Sequence, residues 1–141
     1  MKIAKDIMHG ITVVRPDMTV QEAAKLMAEK VIGSVLVQAE SNSYGILTER
    51  DLLQKVLAEG LSPEETKVED VMTELQHTVD AKSTLEEISD LFSKHNIRRL
   101  PVTEEDKIIG ILTTRDVARN IQYVFVEKMV QEKAYRRSFE R

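Results

Sequence analysis

One segment of seven residues occurs twice in this chain, and this repeat constrains the fold more than any other feature. Residues 45–51 read Gly-Ile-Leu-Thr-Glu-Arg-Asp and residues 110–116 read Gly-Ile-Leu-Thr-Thr-Arg-Asp, so six of seven positions are identical at an interval of 65 residues. Upstream, the Asp-Ile-Met of residues 6–8 returns as Asp-Val-Met at residues 70–72. Two consecutive copies of one structural unit, followed by a C-terminal extension, are therefore predicted.

Each copy has the local signals of a small mixed unit. Thr19 and Glu22, three residues apart, predict a capping box at the start of a helix, and Thr84 and Glu87 repeat it. Apolar residues at helical spacing follow each box, and then come two apolar runs separated by a polar turn, which is typical of a hairpin. A second helix is expected to begin within each repeated segment. Each copy therefore reads as β-α-β-β-α.

The predicted fold class is α/β (α+β), because a three-stranded sheet with helices on one face is too small to bury its other face alone. Two pseudo-twofold-related β-α-β-β-α repeats are expected to pack sheet to sheet. The predicted domains are residues 1–66 (first repeat with N-terminal segment and linker), residues 67–120 (second repeat) and residues 121–141 (C-terminal helical extension).

Composition excludes several classes of function for this chain of 141 residues. The formal net charge of −4 argues against non-specific nucleic-acid binding, and the absence of cysteine excludes disulfides, zinc-thiolate sites and thiol nucleophiles. His9, His77 and His95 form no closely spaced ligand pair, so no metal site is expected. No catalytic triad order, phosphate-binding loop or paired carboxylates are discernible, which predicts a non-enzyme. No apolar run approaches the roughly 20 residues that span a bilayer, and a soluble, cytoplasmic protein is expected.

The repeated segment supports two interpretations. In the first, Thr48 and Asp51, like Thr113 and Asp116, form a near-capping box that only stabilises a helix start. In the second, the helix start accommodates a phosphate, while the carboxylate accepts hydrogen bonds from the two hydroxyls of a ribose. The second interpretation requires accessible carboxylates and predicts a ribonucleotide ligand in each copy.

Taken together, the motifs of the chain resemble a tandem pair of cystathionine-β-synthase (CBS) domains, the arrangement called a Bateman module. The resemblance extends from about Lys2 to Val117 and rests on residues 6–8, 15–23, 68–73, 97–102 and both repeated segments. It implies adenosine-containing regulatory ligands, namely AMP, ADP or ATP, or else S-adenosylmethionine or NAD, bound in clefts between the repeats.

The resemblance also implies which residues line each site. Asp51 and Asp116 correspond to the family's ribose-binding acids, and Thr48 and Thr113 to its hydroxyls near phosphate or ribose. The full ligand-binding set is Thr12, Val13, Ile32, Val35, Gly45, Thr48, Arg50 and Asp51 in the first copy, and Thr78, Val79, Ile97, Arg98, Arg99, Leu100, Pro101, Gly110, Thr113, Arg115 and Asp116 in the second.

The two copies differ in their arginines. The second has Arg98 and Arg99 before its first hairpin strand, and the first lacks both. Guanidinium groups bind phosphate well, so the Asp116 site is predicted to bind the more anionic ligand, or to bind more tightly. The alternative is that these arginines form surface ion pairs with the acidic residues 104–106.

The C-terminal extension is expected to be helical, because residues 117–141 contain neither proline nor glycine. It carries a local charge of +3 and an apolar band formed by Val117, Ile121, Val124, Phe125, Val126, Met129 and Val130. An apolar helical surface of this kind predicts self-association, and the resemblance implies a homodimer with four repeats in a disc. The leading hypothesis is a non-catalytic sensor that signals to an effector protein, and the alternative is a dimerisation scaffold with degenerate nucleotide sites.

Overall fold

Alternating apolar runs and amphipathic helices in each copy fold into a separate sheet with its own helices. The computed structural model describes residues 1–39, 43–122, 125–126 and 129–133. The first-repeat unit comprises Ile11–Gln76, and the second-repeat unit comprises Met1–Gly10 together with the described residues from His77 onward. In chain order the elements are α1 (Ala4–Ile7), β1 (Val13–Val14), α2 (Val20–Lys30), β2 (Ser34–Gln38), β3 (Tyr44–Thr48), α3 (Glu49–Asp51) continuing as a π-helix (Leu52–Leu57), α4 (Val68–Val71), β4 (Thr73–Glu74), β5 (Val79–Asp80), α5 (Leu85–His95), β6 (Arg99–Glu104), β7 (Lys107–Thr113) and α6 (Thr114–Arg119).

The first-repeat unit has a four-stranded sheet in the order β1-β2-β3-β4. β1 is parallel to β2, and the other neighbours are antiparallel. Helix α2 begins where the Thr19 hydroxyl accepts a hydrogen bond from the Glu22 amide (3.2 Å), which is one half of the predicted capping box. The unit's core consists of Val14, Val20, Ala23, Met27, Val35, Val37, Leu47, Val56, Val68 and Val71. The short strand β4 is an addition to the predicted β-α-β-β-α order.

The second-repeat unit has a three-stranded sheet in the order β5-β6-β7. β5 is parallel to β6, and the β6–β7 hairpin is antiparallel with an irregularity between Val102 and Thr103. Helix α5 begins where the Thr84 hydroxyl accepts from the Glu87 amide (3.2 Å). The core consists of Ala4, Val79, Ala81, Leu85, Ile88, Phe92, Leu100, Val102, Leu112 and Val117. The predicted mixed α+β fold with two sheets is thus confirmed.

Two short helical segments pack on a repeat other than the one assigned to them by sequence order. Helix α1 joins the second-repeat unit, where the Ala4 amide donates to the Ser83 carbonyl (2.8 Å) and the Ala4 side chain is fully buried. Helix α4 joins the first-repeat unit, where the Val68 amide donates to the Met18 carbonyl (2.8 Å). The boundaries of the two units therefore differ from the predicted boundary at residue 66. Apolar residues of α1 belong to the core of the second-repeat unit, and apolar residues of α4 belong to the core of the first-repeat unit.

The C-terminal extension is helical where it is described. Residues 121–122, 125–126 and 129–133 have helical backbone, in agreement with the absence of proline and glycine. Residues 134–141 and Val124 lie outside the described residues. None of the helices in the described part of the chain has the length and apolar character needed to cross a membrane.

Candidate functional site

The repeated segment forms the junction between a strand and a helix in both units. Thr48 ends β3 and caps α3, and its amide and hydroxyl both donate to Asp51 Oδ2 (2.9 and 3.0 Å), while its hydroxyl oxygen accepts from the Asp51 amide (3.2 Å). Thr113 ends β7 and makes the same three bonds with Asp116 at 2.8, 2.9 and 3.3 Å. Each segment is therefore a complete capping box, as the first interpretation predicted.

The second carboxylate oxygen has different partners in the two units. Asp51 Oδ1 accepts from the Lys55 ammonium (3.1 Å) and from the Thr73 hydroxyl (3.3 Å). Asp116 Oδ1 contacts His9 Nε2. Thus Oδ2 of each aspartate stabilises the helix start, and Oδ1 is the oxygen that remains for a partner. We call Oδ1 of these two residues the outer oxygen, and the side chains that contact it the covering groups.

Both carboxylates are buried, which differs from the accessible carboxylates that the second interpretation requires. Asp51 is 7% exposed and Asp116 is 5% exposed, and they are the charged residues that are buried within the described part of the chain. The covering groups, in contrast, are surface side chains, since the Lys55 side chain is 42% exposed and that of His9 is 58% exposed. A ligand that needs both lone pairs of an outer oxygen can therefore bind only by displacing a covering group.

Most donors at the two helix starts are used within the protein. The Glu49 amide donates to the Gly33 carbonyl (3.1 Å), and the Thr114 amide donates to the Arg98 carbonyl (3.0 Å). The hydroxyl hydrogens of Thr48 and Thr113 are used by the capping boxes. These four groups are not available to a phosphate in this structure, so the outer oxygens are the better candidates for ligand contact.

The predicted residues of the first-repeat unit lie in several places. Val13 lines a cleft of about 500 Å³, and Ile32 lines another of about 340 Å³. Neither cleft is lined by Thr48 or Asp51. Val35 is a core residue, Gly45 lies in β3, Arg50 is exposed, and Thr12 accepts from the Leu36 amide through its carbonyl.

In the second-repeat unit, the predicted residues divide into core and surface. Val79, Leu100 and Pro101 are buried, and Ile97 packs against the core. Thr78, Arg98 and Arg115 are exposed, Gly110 lies in β7, and Arg99 is half-buried at the start of β6. Among the described residues, neither Arg98 nor Arg99 forms an ion pair with residues 104–106, and Glu104 pairs with Lys5 instead (3.0 Å). The adenine-slot and phosphate roles of these residues stay predictions.

Sequence reasoning did not identify the covering groups. His9 follows the first Asp-Ile-Met segment and corresponds to Thr73, which follows the second. Lys55 lies four residues after Asp51 and corresponds to Asn120. The side-chain amide of Asn120 donates to the backbone carbonyl of Asp116 (2.8 Å). The alignment of the two copies contains both differences, but only the fold shows that these positions meet the acids.

The structure also brings together two histidines that are far apart in sequence. The rings of His77 and His95 stack with their centroids 3.8 Å apart. Desolvation, with repulsion from His77 and Lys94, lowers the pKa of His95 below its ordinary value of 6.5. Because the folded chain binds this proton less tightly than the unfolded chain, the contribution of His95 to stability is complete above that pH and decreases below it. Across the described residues, no group of three or more possible metal ligands is present.

The duplicated unit and its helix-start carboxylate define a class of tandem-repeat module. The family model described as the CBS domain matches residues 4–58 and 68–123, which together are more than half of the chain. The chain therefore belongs to the CBS-domain family and contains a tandem pair of these domains, as the resemblance implied. Members of this family are generally regulatory, ligand-binding modules.

Similar proteins include stand-alone CBS-domain proteins. Hypoxic response protein 1 of Mycobacterium tuberculosis is 34% identical over 123 residues, which are 86% of this chain and 86% of that protein. A hexameric CBS-CP12 protein from bloom-forming cyanobacteria has a TM-score of 0.80 at 29% identity, covering 94% of this chain and 82% of that one. The crystal structure of Hypoxic Response Protein I with two coordinated zinc ions has a TM-score of 0.71 at 33% identity, covering 84% of this chain and 98% of that one.

Proposed function

We propose that this protein is a non-catalytic, cytoplasmic sensor that binds adenosine-containing nucleotides of the AMP, ADP and ATP class and signals to a partner protein. The observation that supports the proposal best is the duplicated buried carboxylate. In each unit one oxygen is held by the capping box, and the outer oxygen is contacted by exposed polar side chains. Capping and ligand binding therefore use different oxygens of the same aspartate, and the two interpretations of the repeated segment are compatible.

A ribose is the ligand group that fits an outer oxygen best. A carboxylate oxygen has two lone pairs, so Oδ1 can accept hydrogen bonds from both hydroxyls of a vicinal diol once its covering group has moved away. Oδ2 already accepts two hydrogen bonds and has no capacity left. A signal to an effector protein requires that the nucleotide bind two conformations of this protein with different affinities.

Replacing Asp116 tests the proposal. Asp116→Ala is expected to weaken AMP binding in the second-repeat unit about 10- to 100-fold, because a hydrogen bond to a charged group contributes about 1.5–3 kcal/mol. Stability is expected to fall by only about 1 kcal/mol through loss of the cap. Calorimetric titration with AMP and thermal unfolding measure the two effects.

Thr84→Ala is the matched control, because it removes a helix cap from the same unit and leaves Thr113 and Asp116 in place. It is expected to lower stability to a similar extent and to change AMP affinity much less. Equal AMP affinity in the wild-type and Asp116→Ala proteins, or an equal loss of affinity in Asp116→Ala and Thr84→Ala, would contradict the proposal. Absence of any stabilisation by AMP, ADP, ATP, NAD or S-adenosylmethionine would favour the scaffold hypothesis, which the occupied outer oxygens also support.

Self-association is part of the proposed function. The C-terminal helix exposes large apolar side chains, namely Ile121, Phe125, Val126, Met129 and Val130, each between 44% and 65% exposed. The cyanobacterial relative that matches 94% of this chain is hexameric. Solvent exposure of such an apolar surface is unfavourable, and a second copy of the chain would bury it. We therefore propose a homodimer, or a larger assembly of such dimers, that depends on this helix.

Truncation after Asn120 is expected to convert the assembly into a smaller species without unfolding either unit. The core residues of both units all precede this position, with Val117 the last of them. Size-exclusion chromatography with light scattering measures the mass, and circular dichroism checks the fold. An unchanged mass for the truncated chain would show that another surface holds the copies together.

A further inference from the structure

The covering groups of the two aspartates differ in chemistry. Asp51 is covered by a lysine and a threonine, whereas Asp116 is covered by the imidazole of His9. We propose that His9 is a gate for ligand binding in the second-repeat unit, and that it makes binding there pH-dependent while binding in the first-repeat unit is not. This inference rests on the proposed function, because it concerns the regulation of the same outer oxygen.

The position of His9 suits a gate. Its backbone is held to β7 by two hydrogen bonds, one from the His9 amide to the Ile111 carbonyl (2.9 Å) and one from the Ile111 amide to the His9 carbonyl (3.0 Å). Its side chain is 58% exposed and contributes nothing to the apolar core. The ring can therefore turn away from Asp116 into solvent while the backbone stays in place.

Competition for one oxygen explains the dependence on pH. Asp116 Oδ2 is fully used by Thr113, so His9 and a ribose must compete for Oδ1. A protonated imidazole makes a charge-assisted bond to the carboxylate, which is stronger than the bond from a neutral ring. Affinity for an uncharged diol is therefore expected to be higher at a pH where an imidazole is neutral than at one where it is protonated. In the first-repeat unit the covering groups are an ammonium and a hydroxyl, which are types of group that do not change charge near neutral pH.

His9 follows α1 and lies beside β7 and α6. The charged side chains on or next to these elements are Lys2, Lys5, Asp6, Glu105, Asp106, Lys107, Arg115, Asp116 and Arg119. Lys5 pairs with Glu104 on β6 (3.0 Å), and Lys2 donates to the Asn120 side chain (3.2 Å). Side chains of these types keep their charge between about pH 5.5 and 8, whereas histidine changes charge within this range.

Adenosine is the appropriate probe, because a phosphate group itself ionises near pH 6 and would add its own pH dependence to the binding. The amide NMR signals of Thr113 and Thr48 report separately on the second-repeat and first-repeat units. In the wild-type protein, adenosine is expected to bind the second-repeat unit about three- to tenfold more tightly at about pH 8 than at about pH 5.5, a modest factor because His9 is well exposed. Binding to the first-repeat unit is expected to be the same at both pH values.

Two substitutions at one position provide matched controls. His9→Thr gives the second-repeat unit a threonine at the position that corresponds to Thr73 of the first-repeat unit. This variant is expected to bind adenosine tightly at both pH values. His9→Lys introduces a permanent charge and is expected to bind weakly at both. A pH dependence in the His9→Thr variant equal to that of the wild-type protein would overturn the gate and leave the proposed function intact.

A measurement without ligand separates failure of the gate from failure of the proposed function. The pH-dependent ring signals of His9 are expected to move when Asp116 is replaced in the Asp116→Asn variant, and unchanged signals would overturn the contact itself. Adenosine-induced shifts in the His9→Thr variant, with none in the wild-type protein at either pH, would overturn the pH dependence. No shift in any variant, with the His9–Asp116 contact intact, would overturn the proposed function and the gate that rests on it.

Discussion

Ala4→Asp is expected to destabilise the second-repeat unit by about 3–5 kcal/mol, because the new carboxylate would be buried without a partner. Ala4 is fully buried in the core of that unit, although residues 11–76 separate it in sequence from the rest of the unit. Typical domains are stable by about 5–15 kcal/mol, so a change of this size is expected to unfold a marginal unit. Hydrogen exchange is expected to accelerate in β6 and β7.

Val68→Asp is the reciprocal variant. Val68 is also fully buried, but it lies in the core of the first-repeat unit, and its substitution is expected to accelerate exchange in β2 and β3 instead. Gly10→Asp is a suitable control, because a side chain at Gly10 would meet nothing within 4 Å. Loss of protection in β2 and β3 of the Ala4→Asp variant, with β6 and β7 unaffected, would contradict the assignment of α1 to the second-repeat unit.

Gly110→Ala is expected to destabilise its unit by about 2–3 kcal/mol, and Gly45→Ala by about 1 kcal/mol or less. A Cβ atom at Gly110 would lie 2.8 Å from the His9 carbonyl oxygen, and it would also clash with the Met8 sulfur. The three atoms nearest to a Cβ atom at Gly45 would all belong to the Met72 side chain, with its sulfur at 2.6 Å, and a methionine can change rotamer. The backbone at His9 cannot move without breaking its two hydrogen bonds to β7.

Urea unfolding of the two variants measures this difference. Alanine also restricts the unfolded chain, which offsets part of the loss by about 0.4–1 kcal/mol in both proteins and leaves their difference unaffected. The Gly110→Ala variant is further expected to lose the contact between His9 and Asp116, which the ring signals of His9 would report. Equal stability of the two alanine variants would show that residues 8–9 are not held closely against β7.

The sequence alone predicted the features that depend on neighbouring residues. Thr19, Thr48, Thr84 and Thr113 all cap helices as predicted, because a cap involves residues only three positions apart. The repeat predicted the two sheets, because both copies contain the same alternation of strands and helices. The π-helix at Leu52–Leu57 was not predicted, because six residues are too few for the apolar pattern to distinguish a π-helix from an α-helix.

Features that depend on distant residues were not predictable in this way. His9 meets Asp116 across 107 positions, and Thr73 meets Asp51 across 22 positions. The two acids were identified correctly as the centre of the repeated segment, but whether a carboxylate is open or covered depends on which segment packs beside it. In this molecule His9, which covers Asp116, lies two residues after α1, and Thr73, which covers Asp51 together with Lys55, lies two residues after α4. Their identity therefore required the fold.

The packing of residues 1–10 in the second-repeat unit also affects the order in which the two units can fold during translation. All residues of the first-repeat unit have been synthesised once Gln76 has been added, whereas the second-repeat unit needs both Met1–Gly10 and the residues from His77 onward. Residues 1–10 leave the ribosome before their partner strands and must therefore wait, with the apolar side chains of Ala4, Ile7 and Met8 unburied, until β7 has emerged. A nascent chain halted between these two stages is expected to leave this segment exposed to solvent.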